Sequence, residues 1–264
     1  MLNEPVLTTR VEDGRELPLL VWRAGRQLRT VSSGPLGGGL GVRGWVLNAT
    51  VPMSYHRDDP AAHLAALADS LDLDGPGVGL LTGVDVADVV TRTDCGVQVW
   101  ATVGLGLPLW AAAPTTGVLD TGDPSAAVDA VPAPVGAGST PGGTVDAVRP
   151  PVGTVNIVAY VPVRLTDAAL VNSVATATEA KAQAIIELGR PGTGTPTDAV
   201  TVLCPVDGPS AEYGGPRSRW GAPLARAVHA AVRSGGVADR PPWSSGKGAR
   251  QALRTGVVGG RTER

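Results

Sequence analysis

The chain of 264 residues contains no phenylalanine, and aromatic residues make up only 3% of it. Its core must therefore be built from Val, Leu, Ala and Ile, with 6 Trp and 3 Tyr as the large rings. Charge is scarce too: 17% of residues are charged and the net charge is −2. Binding to nucleic acid needs clustered Lys and Arg against the phosphates, so this balance predicts no nucleic-acid partner. The hydrophobic share of 43% excludes charge-driven disorder. The length suits one large domain or two small ones, with enough chain for a core that needs no disulfide or metal staple.

Cysteine is limited to Cys95 and Cys204, each in or beside an apolar run, which is the setting of a buried free thiol. His56, His63 and His229 form no ligand spacing with them, so neither a metal nor a cofactor is expected. His56 and His63 straddle a loop–helix junction, where a surface role is expected. No apolar run is long: the most apolar stretch, 99–114, holds Gly104, Gly106 and Pro108 and is too short to span a bilayer. Residues 1–10 lack the apolar centre of a signal peptide. These features predict a cytoplasmic protein with no membrane partner.

Gly (36) and Pro (23) are abundant and divide the chain into segments. Alternating apolar residues predict strands over 6–11, 17–23, 27–33 and 42–51, the first two joined by a hairpin at Asp13-Gly14. Asp59 and Pro60 predict the start of a helix over 58–71. A strand over 78–83, a short helix over 84–92 and a strand over 97–105 follow. Residues 114–151 contain 7 Pro and 6 Gly without apolar periodicity, and read as a flexible surface insertion. Beyond it come a strand over 154–163, a long helix from a Thr166 cap to about Leu188, a strand over 199–205 and a helix over 222–233. That last helix is expected to stop at Gly235-Gly236, leaving 236–264 as a disordered tail. Hairpin strands followed by alternating helices and strands predict an α+β fold with a mixed, largely antiparallel sheet, in one domain over 1–235.

The segment 153–198 carries the chemistry. Leu170, Val174, Ala177, Ile185 and Leu188 share one helical stripe, and Lys181 lies within it. The commoner reading of such a lysine is snorkelling past apolar neighbours; the other is deliberate placement. Glu179 points about 160° away from Lys181, in a polar strip with Asn172, Thr176 and Gln183 whose ordinary reading is a solvated face. Thr193, Thr195 and Thr197 flank Gly194 and Pro196 ahead of Asp198, a loop able to donate to an oxyanion or to serve as a plain turn. It precedes a strand, so it is no nucleotide-binding P-loop. Thr154 and Asn156 share one face of the 154–163 strand, and Asn48 is a second asparagine among apolar neighbours. Ser32-Ser33 precedes a glycine loop without the Gly-x-Ser-x-Gly pattern of a nucleophile.

Four stretches in this region resemble the adenosylcobinamide amidohydrolase family: Gly-Thr-Val-Asn-Ile-Val (153–158), Leu-Thr-Asp-Ala-Ala-Leu-Val (165–171), Ala-Thr-Ala-Thr-Glu-Ala-Lys-Ala-Gln-Ala (175–184) and Thr-Gly-Thr-Pro-Thr-Asp-Ala-Val (193–200). Segments 32–40, 46–52 and 219–228 extend the resemblance over about 27–234, with 114–151 inserted. Pro196 and Ser218-Arg219 depart from the pattern. The resemblance implies hydrolysis of the amide between the propionyl arm of a corrin ring and aminopropanol, with the corrinoid as substrate. Residue type and resemblance together make Glu179, Lys181, Asn156 and Asp198 the expected catalytic residues. Ser32, Ser33, Asn48, Thr154, Thr193, Gly194, Thr195 and Thr197 are the expected substrate-binding ones. A corrinoid-binding protein without activity and an amidase of another substrate remain open at this point.

Overall fold

In the computed structural model, which describes residues 2–113 and 153–237, the chain opens with a hairpin. β1 (Val6–Glu12) and β2 (Arg15–Ser32) pair antiparallel around Asp13 and Gly14, whose φ angles of 51° and 70° are those the Asp-Gly pair predicts. The two strands expected over 17–23 and 27–33 are one: β2 runs through both, with residues 24–27 bulging between its register pairs Arg23–Trp45 and Leu28–Arg43 on β3 (Gly39–Thr50). The bulge lets a single strand bend from one part of the sheet into another.

Helix α1 (Pro60–Ser70) starts where expected, with Asp59 Oδ1 accepting from the Ala62 amide at 2.8 Å. β4 (Gly77–Thr82) then lies parallel to β3. The helix expected over 84–92 is not formed. Only Val86–Asp88 makes a 3₁₀ turn, and β5 (Val90–Asp94) follows, antiparallel to β6 (Val97–Leu105). Val89, Val90, Thr91 and Thr93 are β-branched and favour extended backbone. Cys95 and Gly96, at φ 47° and 83°, close the two-residue turn. Cys95 is exposed there, against expectation, whereas Cys204 is buried.

β7 (Gly153–Tyr160), β8 (Arg164–Leu165), α2 (Asp167–Glu187), β9 (Ala199–Pro205), β10 (Ser210–Ala211) and α3 (Gly221–Val237) complete the order. The eight-stranded sheet runs β4-β3-β2-β9-β7-β6-β5, with β1 also on β2; β3–β4 and β7–β9 are parallel, the other pairs antiparallel. This is the mixed, largely antiparallel α+β sheet of one domain.

Alternation of side chains builds four layers. Val99, Ala101, Val155 and Ile157 pack on Leu170, Ile185, Leu224 and Val228 of α2 and α3. The opposite faces of β6 and β7 carry Trp100, Val158 and Tyr160, which meet Leu20, Trp22, Val46 and Leu80 from the β2–β4 part of the sheet. Trp22 and Trp100 meet edge to face, centroids 6.1 Å apart, and truncating either to alanine costs about 3–5 kcal/mol. On the outer side, Leu47 and Ala49 pack under Leu64 and Ala68 of α1.

α3 does not stop at Gly235-Gly236. A Cβ at Gly235 would lie 2.7 Å from Val103, and one at Gly236 2.6 Å from Leu188 and 2.7 Å from Leu105. These glycines let the helix approach β6 rather than end. The expected insertion 114–151, and the expected tail beyond Val237, lie outside the described residues.

Candidate active site

Thr166 caps α2 through its hydroxyl, which accepts from the Ala169 amide at 3.2 Å. Alanine-rich spacing then carries the helix to Glu187 and turns Leu170, Ala177, Ala180, Lys181, Ala184 and Ile185 inward. Lys181 does not snorkel. It is 6% exposed, and its ammonium is held by Asp198 Oδ2. The same carboxylate accepts from the Val155 amide (2.7 Å), the Thr195 amide (3.0 Å) and the Thr195 hydroxyl. Four donors fill the four lone-pair sites of a carboxylate, so Asp198 has none left for a substrate proton. Gly194 closes over the pair: a Cβ there would sit 2.8 Å from both Asp198 Oδ2 and Lys181 Nζ.

The other loop residues are engaged in the same clasp. Thr197 donates to the Gly153 carbonyl at 3.1 Å and meets the Thr154 hydroxyl at 2.6 Å. Thr193 accepts from the Ala111 amide at 3.2 Å, and Gly194 bridges Leu109. The 193–198 loop is thus pinned to the start of β7 and to segment 109–111, with the Lys181–Asp198 ion pair at its centre.

The two asparagines meet. The ends of β3 and β4 lie across β6 and β7, and Asn156 Nδ2 donates to Asn48 Oδ1 and to the Leu81 carbonyl, both at 2.9 Å. Asn48 Nδ2 in turn donates to Thr102 at 3.1 Å. Both asparagines are 1% exposed. Asn156 Oδ1 is buried and has no hydrogen-bond partner, a position that costs free energy unless a donor fills it. Nearby, the Ser32 hydroxyl meets Thr201 at 2.8 Å and accepts from the Gly34 amide, while Ser33 accepts from the Val200 amide. Ser32 and Ser33 tie β2 to β9.

Glu179 stands apart. It is exposed on the other side of α2 from Lys181, in a groove of about 240 Å³ with Thr176, Gln183, Arg226 and His229. Three of the four residues of the strip read as solvated, Asn172, Glu179 and Gln183, are exposed, and Thr176 is buried; Arg226 and His229 of α3 line the same groove but pair with Asp94 and Glu187. A cleft of about 740 Å³, lined by Asn172, Tyr213, Arg217, Arg219 and Trp220 among others, holds none of the expected site residues.

One cluster escapes sequence reasoning. His63, expected at the surface, is 7% exposed and sits between Glu12 and Tyr55. Glu12 belongs to the hairpin and Tyr55 to the segment after β3, so only the fold brings them together; no local spacing signals it. Among the described residues no group of three His, Cys, Asp or Glu converges to hold a metal ion, and no helix is long and apolar enough to cross a membrane.

The chain is 46% identical over 83 residues to an adenosylcobinamide amidohydrolase of Halobacterium salinarum, a match covering 31% of this chain and 35% of that protein. It is 36% identical over 92 residues to one of Methanosarcina mazei, covering 31% of this chain and 46% of that one. The matched segments thus span less than half of either relative. A crystal structure of the PH0078 protein from Pyrococcus horikoshii OT3 superposes with a TM-score of 0.42 at 9% identity, over 89% of this chain and 83% of that one, too loosely to carry an argument. The family model described as adenosylcobinamide amidohydrolase matches residues 4–240, nearly the whole chain, and the chain belongs to that family.

Proposed function

We propose that the chain hydrolyses the amide joining the propionyl arm of the corrin ring to aminopropanol in adenosylcobinamide. The products are adenosylcobyric acid and 1-aminopropan-2-ol, and the step serves the salvage of incomplete corrinoids in the cytoplasm. The corrinoid is substrate, and no further cofactor is called on. The family match over residues 4–240 is the observation that carries this reading.

Hydrolysis of an amide needs an activated water, donors for the tetrahedral oxyanion and a proton for the departing amine. The crossing of β3 and β4 over β7 is the place we favour. Asn156 Oδ1, buried and unpartnered, suits an N–H or O–H of the substrate arm. Its amide cannot turn, because Asn48 and Leu81 fix the nitrogen. The Lys181–Asp198 pair supports the site from behind by anchoring Val155, the residue before Asn156. Groups held in this way lose little entropy when substrate arrives.

Incubation of the purified chain with adenosylcobinamide, followed by mass spectrometry, tests the reading. Adenosylcobyric acid and aminopropanol in equal amounts are expected, with or without a chelator. A spectral binding change without products would favour the corrinoid-binding alternative.

A further inference from the structure

The crossing of β3 and β4 over β6 and β7 holds more unspent hydrogen-bonding capacity than Asn156 Oδ1 alone. Thr102 of β6 is the register partner of Asn156 of β7, so the two side chains stand side by side on the face between the sheet layers. Both residues are 1% exposed. The Thr102 hydroxyl accepts from Asn48 Nδ2 at 3.1 Å, and its own proton is uncommitted among the described residues. A hydroxyl carries one donor beside its lone pairs. A spare donor therefore stands next to the orphaned acceptor Asn156 Oδ1. An amide N–H would satisfy only the acceptor. An alcohol satisfies both, donating to one and accepting from the other.

Two residues nearer the start of β7, Thr154 adds a second acceptor on the same face. Thr197 donates its proton to the Gly153 carbonyl at 3.1 Å, so in the 2.6 Å contact between the two hydroxyls Thr154 is the donor. The Thr154 oxygen then keeps lone pairs free among the described residues. Thr197 is exposed, Thr154 is 5% exposed and Asn156 1%. The face thus runs inward from solvent at the 193–198 loop, with about 7 Å from Thr154 to Asn156. A Cβ at Gly104, the register partner of Thr154, would lie 2.5 Å from Val84 Cγ2, which places an apolar wall beside this face.

We propose that Thr102 and Asn156 read the alcohol of the leaving amine and make the site specific for amides of a 2-hydroxyalkylamine; this rests on the function proposed above. The arm of adenosylcobinamide ends in two donors, the amide N–H and the alcohol O–H, about 3–4 Å apart. The alcohol is terminal and goes deepest, its proton to Asn156 Oδ1 and its oxygen to the Thr102 O–H. The amide N–H then lies on the solvent side, at Thr154, and the methyl group of aminopropanol meets Val84. The corrin ring stays outside, and only the thin arm enters when the 193–198 loop lifts. Thr102 is a specificity residue: no bond is made or broken at it.

The test compares adenosylcobinamide with the propylamide of adenosylcobyric acid, which lacks only that hydroxyl. Wild type should favour adenosylcobinamide by about 10–100-fold in kcat/KM, because the analogue leaves two buried groups unpaired. Thr102→Val removes the donor at nearly the same volume and should shrink that ratio about tenfold. Thr102→Ser, which keeps the hydroxyl, should retain it. A ratio near one in the wild type, as when a water molecule rather than the substrate lies between Thr102 and Asn156, overturns the proposal. An undiminished ratio in folded Thr102→Val does the same. Should neither compound be hydrolysed, the function reading fails and binding judges the specificity by itself. Titrations followed by the corrin absorbance should then give the same ratio in Kd. Equal Kd values, or no binding of either compound, overturn the proposal.

Discussion

Lys181, on the inward face of α2, ends on the carboxylate of Asp198, and the two together are less than one-tenth exposed on average, at 8% and 10% of their side chains. A lysine within an apolar stripe has two physical outcomes: its head escapes to water, or it finds a buried anion. The second occurs here because the 193–198 loop folds back over the helix, which no periodicity within the helix reveals.

Lys181→Met should destabilise the protein by about 3–5 kcal/mol, because it leaves Asp198 buried without its cation. The pairing also predicts that Lys181→Met combined with Asp198→Asn recovers much of the loss. Urea unfolding of the two single variants and the double variant measures the coupling. Single-variant stability equal to wild type would show that the ion pair contributes nothing.

Gly194→Ala places a methyl group against both partners of that pair. Overpacking of this kind costs about 1–3 kcal/mol. A lower Tm with reduced turnover is expected, since the loop must lift from β7. An unchanged Tm would mean that the loop yields freely.

Glu179→Gln separates the two faces of α2. With the reaction at the crossing of β3 and β4 over β7, kcat should stay within about twofold of wild type. A loss of about 10²–10⁴-fold, the usual cost of removing a general base, would move the chemistry to the groove between α2 and α3.

Acid should weaken the fold in two steps. Burial pushes His63 below its ordinary 6.5 by more than Glu12 raises it. As pH falls through 6.5 the unfolded chain takes up this proton first, so stability declines from there down to the folded-state value. Glu12 is held below its ordinary 4.5, and its contribution, present above 4.5, is lost as pH falls through the folded-state value. One group sets a slope of at most about 1.4 kcal/mol per pH unit. Chemical denaturation from pH 8 to 4 should show the upper step in wild type and lose it in His63→Gln.

Joining residue 113 to residue 152 through a short Gly/Ser bridge should leave a folded protein. Leu105 and Gly153 are register partners at the ends of β6 and β7, so the strands meet without the segment between them. Loss of a cooperative melt would show that 114–151 contributes to the core.

Much of the fold was legible because its signals are local. Asp13-Gly14 set the first turn, Asp59-Pro60 started α1, and Thr166 started α2. The short helix over 84–92 failed because the β-branched run 89–93 found a partner strand that a window of sequence does not contain. Gly235 and Gly236 misled for a related reason: they look like a helix stop, yet their missing side chains serve contact with Val103, Leu105 and Leu188. In the site, sequence singled out Lys181, Asp198, Asn48 and Asn156 as separate residues. Lys181 meets Asp198 because the 193–198 loop folds back over α2, whereas the Asn48–Asn156 pair and the joining of His63 to Glu12 depend on elements far apart along the chain.

The strand order bears on how the molecule is made. β9 and β7 occupy the middle of the sheet, between β2 and β6, yet both are synthesised after their neighbours. A nascent chain emerging through β6 leaves one edge of β2 and one edge of β6 without their permanent partners. The link from Ser32 to Thr201 closes a loop of 169 residues, and such distant pairings form slowly. β7 closes the edge of β6 first, but until β9 (Ala199–Pro205) leaves the ribosome the edges of β2 and β7 stay open to pairing with other chains. The hazard in making this fold therefore lies in the unfinished chain, and it is independent of how stable the finished sheet is.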